Sequence, residues 1–88
     1  MSYRVTTKKN LIIFHEPAEW ETVLHQLTKD FGTHIRMRHV MRRELGFVPR
    51  DHQGLEFDHA RGKYHYEPQV HLDFYTETAQ SWFILKYL

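Results

Sequence analysis

The sequence predicts an α+β fold, in which a mainly antiparallel sheet carries one or two helices packed on one face. Two observations predict it. Residues 17–31 have apolar side chains at helical spacing, whereas several other segments are short and apolar or alternate between apolar and polar residues, as strands do. The 88 residues are expected to form a single domain, 1–88, and their 41% hydrophobic content is enough for a core.

The first third of the chain predicts a strand followed by a helix. "NLIIFHE", residues 10–16, is typical of a buried strand, and "YRVTT" before it is read as an extension or a frayed end. Pro17 suits the first position of a helix, where its missing N–H has no partner to lose, and Gly32 suits the end. Between them one apolar stripe predicts a helix over 17–31: Trp20, Val23, Leu24, Leu27 and Phe31.

"THIRMRHVMRREL", residues 33–45, fits two periods. As a strand over 34–39, its apolar and basic residues alternate. As a helix after an N-cap at Thr33, it gathers four apolar side chains on one side: Met37, Val40, Met41 and Leu45. Because Gly46 and Pro49 follow as a helix end does, a helix over 34–45 is favoured and the strand remains the alternative.

The second half predicts a loop, a hairpin and two further strands. "RDHQG", residues 50–54, indicates a loop, and a hairpin around Arg61-Gly62 would place Asp58 opposite His65 and Glu56 opposite Glu67. Its other face would carry Phe57, Tyr64 and Tyr66. "VHLDFY" alternates with Val70, Leu72 and Phe74 inward, and "TETAQS" is read as a turn. "WFILKYL", residues 82–88, is apolar on both faces and indicates a strand.

These elements are expected to share one core. Its predicted members are Trp20, Leu24, Leu27, Phe31, Leu72, Phe74, Phe83 and Leu85.

Charge is polarised along the chain although the net charge is only +1. Residues 33–53 carry five arginines against two acids, whereas residues 54–88 carry five acids against three basic groups. Such a distribution predicts an oppositely charged partner or self-association of two copies. Cysteine is absent, which excludes disulfides, cysteine-based zinc sites and thiol catalysis. The longest apolar runs have four residues, which is too short to span a membrane, so no membrane association is expected. The expected location is the cytoplasm.

Catalytic motifs are not evident in the sequence, which favours a non-enzymatic protein without a cofactor. The serines lie outside any G-x-S-x-G motif, the glycines are isolated, and H-E-x-x-H does not occur. The abundant histidines and acids leave general acid–base chemistry open, because residue type alone does not establish geometry.

The sequence favours a binding module with an arginine-rich face. Every lysine lies outside residues 33–45, and arginine holds carboxylates or phosphates through a planar fork that lysine lacks. The predicted anionic partner is a protein, because interfaces are enriched in Arg, Met, Tyr and Trp. RNA or DNA bound by the same face is the alternative, with unpaired bases stacking on Tyr64, Tyr66 or Tyr75. The candidate contact residues are Arg36, Arg38, His39, Arg42, Arg43 and Arg50.

A divalent metal site on the hairpin is a third interpretation. Its candidate ligands would share one face and offer nitrogen and oxygen donors: Glu56, Asp58, His65 and Glu67. The polar outer face of a sheet has the same composition, and no metal-ligand spacing in the sequence separates the two interpretations.

Overall fold

The computed structural model describes residues 3–32 and 36–88. In these residues the strands are β1 (Val5–Lys8), β2 (Leu11–Phe14), β3 (Phe47–Asp58) and β4 (Lys63–Phe74). The helices described are α1 (Pro17–Phe31), α2 (Met37–Val40) with a π-helical continuation (Met41–Leu45), and α3 (Glu77–Tyr87). The strands form one antiparallel sheet in the order β1-β2-β4-β3, which confirms the predicted α+β class.

Helix α1 has the predicted bounds. Pro17 stands at its start, and three residues of its apolar stripe are buried: Trp20, Val23 and Leu27. Gly32 ends it with a φ of 94°, and its N–H donates to the Thr28 carbonyl at 2.8 Å. This conformation favours glycine, because it has no Cβ to clash.

Residues 37–45 are helical, as the favoured prediction states, whereas residues 33–35, with the expected N-cap, lie outside the described part of the chain. The strand alternative is wrong for residues 37–39. After Val40 the helix widens into a π-helical turn, so that Met41 and Leu45 both point into the core. The turn leaves three consecutive side chains exposed: Arg42, Arg43 and Glu44.

The loop predicted for residues 50–54 is wrong, because these residues form the middle of β3. Polar residues are tolerated there since β3 is an edge strand and one of its faces points away from the helices. Gly54, the last residue of the predicted loop, leaves room for the side chain of Gln69 on the paired strand.

The hairpin is confirmed, but its predicted register is wrong by two residues. Asp58 pairs with Lys63 and Glu56 with His65, because the connecting loop spans residues 59–62 rather than two residues. A shift of two residues keeps every side chain on its predicted face, since side chains alternate with a period of two.

Residues 77–87 form a helix, so the turn and the closing strand predicted for this region are wrong. The helix starts where the Thr76 hydroxyl accepts a hydrogen bond from a backbone N–H of the first turn. Phe83 and Tyr87 are buried one turn apart, but Leu85 is 87% exposed. Because apolar residues occupy both the buried and the exposed sides of α3, the sequence of this segment lacks the apolar and polar faces that identify an amphipathic helix.

One face of the sheet packs against the helices and forms the core. Five of the predicted core residues are buried there: Trp20, Leu27, Leu72, Phe74 and Phe83. Leu24 and Phe31 are partly buried against this cluster, and Leu85 does not belong to it. The inward orientation of Val70, Leu72 and Phe74 is confirmed.

The β3–β4 hairpin extends beyond the rest of the sheet. Strand β2 pairs with β4 only from Val70 to Asp73, so residues 54–67 form a two-stranded ribbon to which no third described strand is paired. The molecule accordingly measures 45 × 26 × 23 Å. Each helix in the described residues falls short of the length and apolar character that crossing a membrane requires.

Candidate functional site

Four of the six predicted contact residues lie around one hollow, here called the arginine cleft. It is lined by Arg36, Arg38, His39 and Arg42. Arg36 precedes α2, Arg38 and His39 lie on it, and Arg42 lies on the π-helical turn. Arg38 and Arg42 lie one helical turn apart, on the side of the helix opposite the buried Val40.

A second hollow continues the cleft toward the sheet. Arg38 also lines this hollow, together with Pro49, Arg50 and Asp51 of β3 and Val70 of β4. Arg38 therefore connects the helix surface with the sheet edge. Of the six predicted contact residues, the structure leaves only Arg43 outside both hollows.

The arginines of residues 36–43 differ from the other arginines in their ion pairing. Outside this segment, each arginine has a carboxylate partner: Arg4 with Glu16 at 3.3 Å, Arg50 with Asp73 at 2.6 Å and Arg61 with Asp58 at 3.7 Å. Within residues 3–32 and 36–88, no ion pair involves Arg36, Arg38, Arg42 or Arg43. The cleft thus carries positive charge that these residues do not neutralise.

An apolar surface, here called the ribbon face, lies on the same side of the sheet as the cleft. The sequence analysis found its aromatic members but not their exposure: Leu55 is 58% exposed, Phe57 41%, Tyr64 68% and Tyr66 70%. They share a face with Val70, a residue of the second hollow, because side chains at every second position of β4 point the same way.

The four candidate metal ligands do not assemble into one site. Glu56 is paired across the hairpin with His65, whose ring Nε2–H donates to Oε1 of Glu67 at 2.8 Å. Asp58 is paired with Lys63. Within the described residues, no group of three or more histidine or acidic side chains has a geometry that could hold a metal ion.

A histidine cluster that the sequence analysis missed lies on the sheet face opposite the helices. Gln69 bridges His15, which follows β2, to His71 of β4, and the His71 ring packs against His52 of β3. The rings of His52 and His71 are 4.2 Å apart, and His71 is only 6% exposed. Burial, with the neighbouring His52 and Arg50, lowers the pKa of His71 below its usual 6.5.

The alternation of side chains could have revealed part of this cluster. His71 follows two residues after Gln69 in a clearly alternating strand, which places both on one face. The loop predicted for 50–54 concealed His52, and the contact with His15 depends on the strand order, which the sequence does not show.

Comparisons of the chain with protein-family models, with curated proteins and with solved structures gave no match. The functional argument therefore depends on the geometry of the cleft, the ribbon face and the histidine cluster.

Proposed function

We propose that the protein is a non-enzymatic binding module that uses the arginine cleft to bind an acidic surface of a partner protein. The observation that carries the proposal is the contrast in ion pairing: the arginines of residues 36–43 have no carboxylate partner in the described residues, whereas Arg4, Arg50 and Arg61 each have one. Cations held close together repel one another, and carboxylates from a partner would relieve that repulsion through bidentate hydrogen bonds.

The ribbon face supplies the apolar part of the proposed interface. Its exposed side chains lie on the same face of the sheet as Val70, which lines the second hollow with Arg38. Protein interfaces commonly combine buried aromatic side chains with arginines and a polar rim. A partner that covers both surfaces would bury the ribbon face and neutralise the cleft in one contact.

A protein fits this surface better than a nucleic acid does. The reverse side of the ribbon carries Glu56, Asp58 and Glu67, which would repel phosphates that pass around it. The net charge of +1 is also low for a nucleic-acid-binding domain.

Binding of single-stranded RNA or DNA is the second candidate. The observation in its favour is the exposure of Tyr64 and Tyr66, whose rings could stack on unpaired bases beside the arginines. Binding of this kind would weaken steeply with salt.

We also propose a cellular location and a mode of self-association. The chain has no cysteine and therefore needs no oxidising compartment for disulfides, and we propose the cytoplasm. Self-association through the polarised charge would bring residues 33–53 of one copy against residues 54–88 of the other.

The proposal is tested with a charge-matched pair of variants. Arg38→Gln with Arg42→Gln removes two cations of the cleft, and Arg4→Gln with Arg61→Gln removes two cations that already have partners. Proteins captured from an extract by the parent chain are compared with those captured by each variant. We expect specific partners that the parent and the control retain and the cleft variant loses.

Two outcomes would contradict the proposal. If the cleft variant captures the same proteins as the parent, the cleft is only solvated surface. If fluorescence anisotropy instead shows salt-sensitive binding of the parent to single-stranded RNA or DNA that the cleft variant loses, the partner is a nucleic acid.

A further inference from the structure

One amide connects two histidines on the open face of the sheet. Oε1 of Gln69 lies 3.1 Å from Nε2 of His71, and Nε2 of Gln69 lies 3.4 Å from Nδ1 of His15. The amide fits there because Gly54 lacks a side chain beneath it. Gln69 is itself buried, with 8% of its surface exposed.

With the Gln69 amide in this orientation, one tautomer of each ring satisfies the hydrogen bonds. Because Oε1 of Gln69 can only accept, Nε2 of His71 carries the proton and donates it. Because the amide nitrogen donates, Nδ1 of His15 is the acceptor, and Nε2 of His15 donates to the Thr6 hydroxyl at 2.7 Å. Both rings are then neutral. Nδ1 of His71 is buried and has no hydrogen-bond partner in the described residues.

The position of Glu56 gives His15 a reason to adopt a second state, in which Nδ1 also carries a proton. Its Oε1 lies 3.5 Å from Nδ1 of His15, the same atom that accepts from Gln69. An unprotonated ring nitrogen and a carboxylate repel each other, since neither has a proton to donate. A proton on that nitrogen would convert the repulsion into a charge-assisted hydrogen bond.

We propose that Gln69 couples the protonation of His15 to the tautomer of His71, and that protonated His15 holds Glu56 as a latch between β2 and the ribbon. One proton from solvent binds Nδ1 of His15. The Gln69 amide then rotates by half a turn, so that its oxygen shares the Nδ1–H of His15 with Oε1 of Glu56 and its nitrogen donates to Nε2 of His71. His71 releases its Nε2 proton to solvent and takes up another on Nδ1, and it stays neutral. The sheet face opposite the helices gains one positive charge, on His15.

The surrounding charges explain why His15 rather than His71 takes the proton. His71 is faced by His52 and Arg50 from β3 and by Asp73 from its own strand, and Arg50 already engages Asp73 at 2.6 Å. A cation on His71 would therefore lie beside Arg50 without a free carboxylate. His15 has Glu56 instead. Glu67, the next acid on this face, is paired with His65.

The latch would act on the orientation of the ribbon. His15 belongs to the body of the sheet, whereas Glu56 lies on the ribbon side that faces away from the apolar surface. Holding Glu56 would fix the angle between the ribbon face and the arginine cleft. Only this consequence rests on the proposed function; the coupling itself does not depend on a partner.

The coupling is tested by nuclear magnetic resonance of the ring nitrogens across a pH titration. We expect His71 to carry its proton on Nε2 while His15 is neutral, and to move it to Nδ1 over the same pH interval in which His15 becomes doubly protonated. Gln69→Leu removes the amide and should uncouple the two rings. Gln53→Leu, the same change at an exposed glutamine of β3, should leave the coupling intact.

Either of two results would overturn the coupling. The first is that His71 in the parent chain keeps one tautomer throughout the titration of His15. The second is that the tautomer of His71 still changes with the protonation of His15 in Gln69→Leu.

The latch has its own readout, amide hydrogen exchange of the ribbon. The parent is compared with Glu56→Gln at each pH, so that the intrinsic exchange rates cancel. We expect the ribbon amides of the parent to become more protected than those of the variant as His15 is protonated. If the ratio of the parent's ribbon exchange rates to those of Glu56→Gln stays constant across the titration, the latch is contradicted, whether or not a partner protein is ever found.

Discussion

Gln69 lies across Gly54, so that a Cβ on the glycine would overlap the glutamine amide. The two residues are neighbours on paired strands, with Gly54 opposite Glu67 and Gln69 opposite His52. The glycine is required by the size of its neighbour rather than by its own backbone, since its φ is not in the left-handed range.

Gly54→Ala should therefore destabilise the fold by displacing Gln69. We expect the free energy of unfolding to fall by about 1–3 kcal/mol, the usual cost of overpacking. Urea denaturation measures this. In a Gln69→Ala background the same change should cost clearly less, because the overlap is gone. An equal cost in both backgrounds would show that the amide is not what excludes a side chain at position 54.

Two leucines on different helices provide a matched test of the core. Leu27 of α1 is fully buried, whereas Leu85 of α3 is 87% exposed. Leu27→Ala should lower the free energy of unfolding by about 2–5 kcal/mol. Leu85→Ala should change it by about 0.5 kcal/mol or less. Similar costs for the two variants in denaturant melts would mean that α1 or α3 presents a different side to the core.

His71 should make the fold less stable in mild acid. Its pKa is lowered by burial and by its neighbours His52 and Arg50, so the unfolded chain binds a proton more readily than the folded chain does. The stabilisation from the neutral ring is complete above the unfolded pKa of 6.5 and is lost as the pH falls through the lower folded value.

The corresponding measurement compares His71→Gln with His25→Gln, a change at an exposed histidine of α1. Between about pH 7 and about pH 5, the free energy of unfolding should decrease less for His71→Gln than for the parent. The His25 variant should follow the parent. Parallel curves for the parent and His71→Gln would exclude His71 as a source of the pH dependence.

Self-association should be visible by sedimentation velocity. The opposite charges of residues 33–53 and 54–88 predict a dimer at micromolar concentration, and added salt should weaken it because exposed charges are screened. Phe57→Ser should weaken it further if the ribbon face is buried in the dimer. A monomer at high protein concentration and low salt would rule the dimer out.

Periodicity predicted those parts of the fold in which one side is buried and the other is exposed. Helix α1 and the inward residues of β4 have this contrast, and both were predicted with the observed orientation. Helix α3 lacks it because Trp82 and Leu85 are exposed beside buried Phe83, so an apolar run suggested a strand. The available signal was Thr76, which caps the helix.

The candidate site was predictable only where it is local. Arg38 and Arg42 are one helical turn apart, so their common face follows from the sequence. Whether an arginine finds a carboxylate depends on strands that are distant in sequence, as with Arg50 and Asp73. The length of the hairpin loop and the strand order are likewise tertiary properties, so the register and the positions of His15 and His52 in the histidine cluster could not be predicted.

The free end of the ribbon bears on how this chain can diverge in evolution. At its loop, a Cβ on Gly62 would meet no described atom within 4 Å, so little constrains the tip from outside. Because strand side chains alternate, adding or deleting two residues on each strand would preserve both faces and leave the core untouched. Relatives of this chain are therefore expected to differ in ribbon length in steps of two residues per strand, and the reach of the module can change without a new fold.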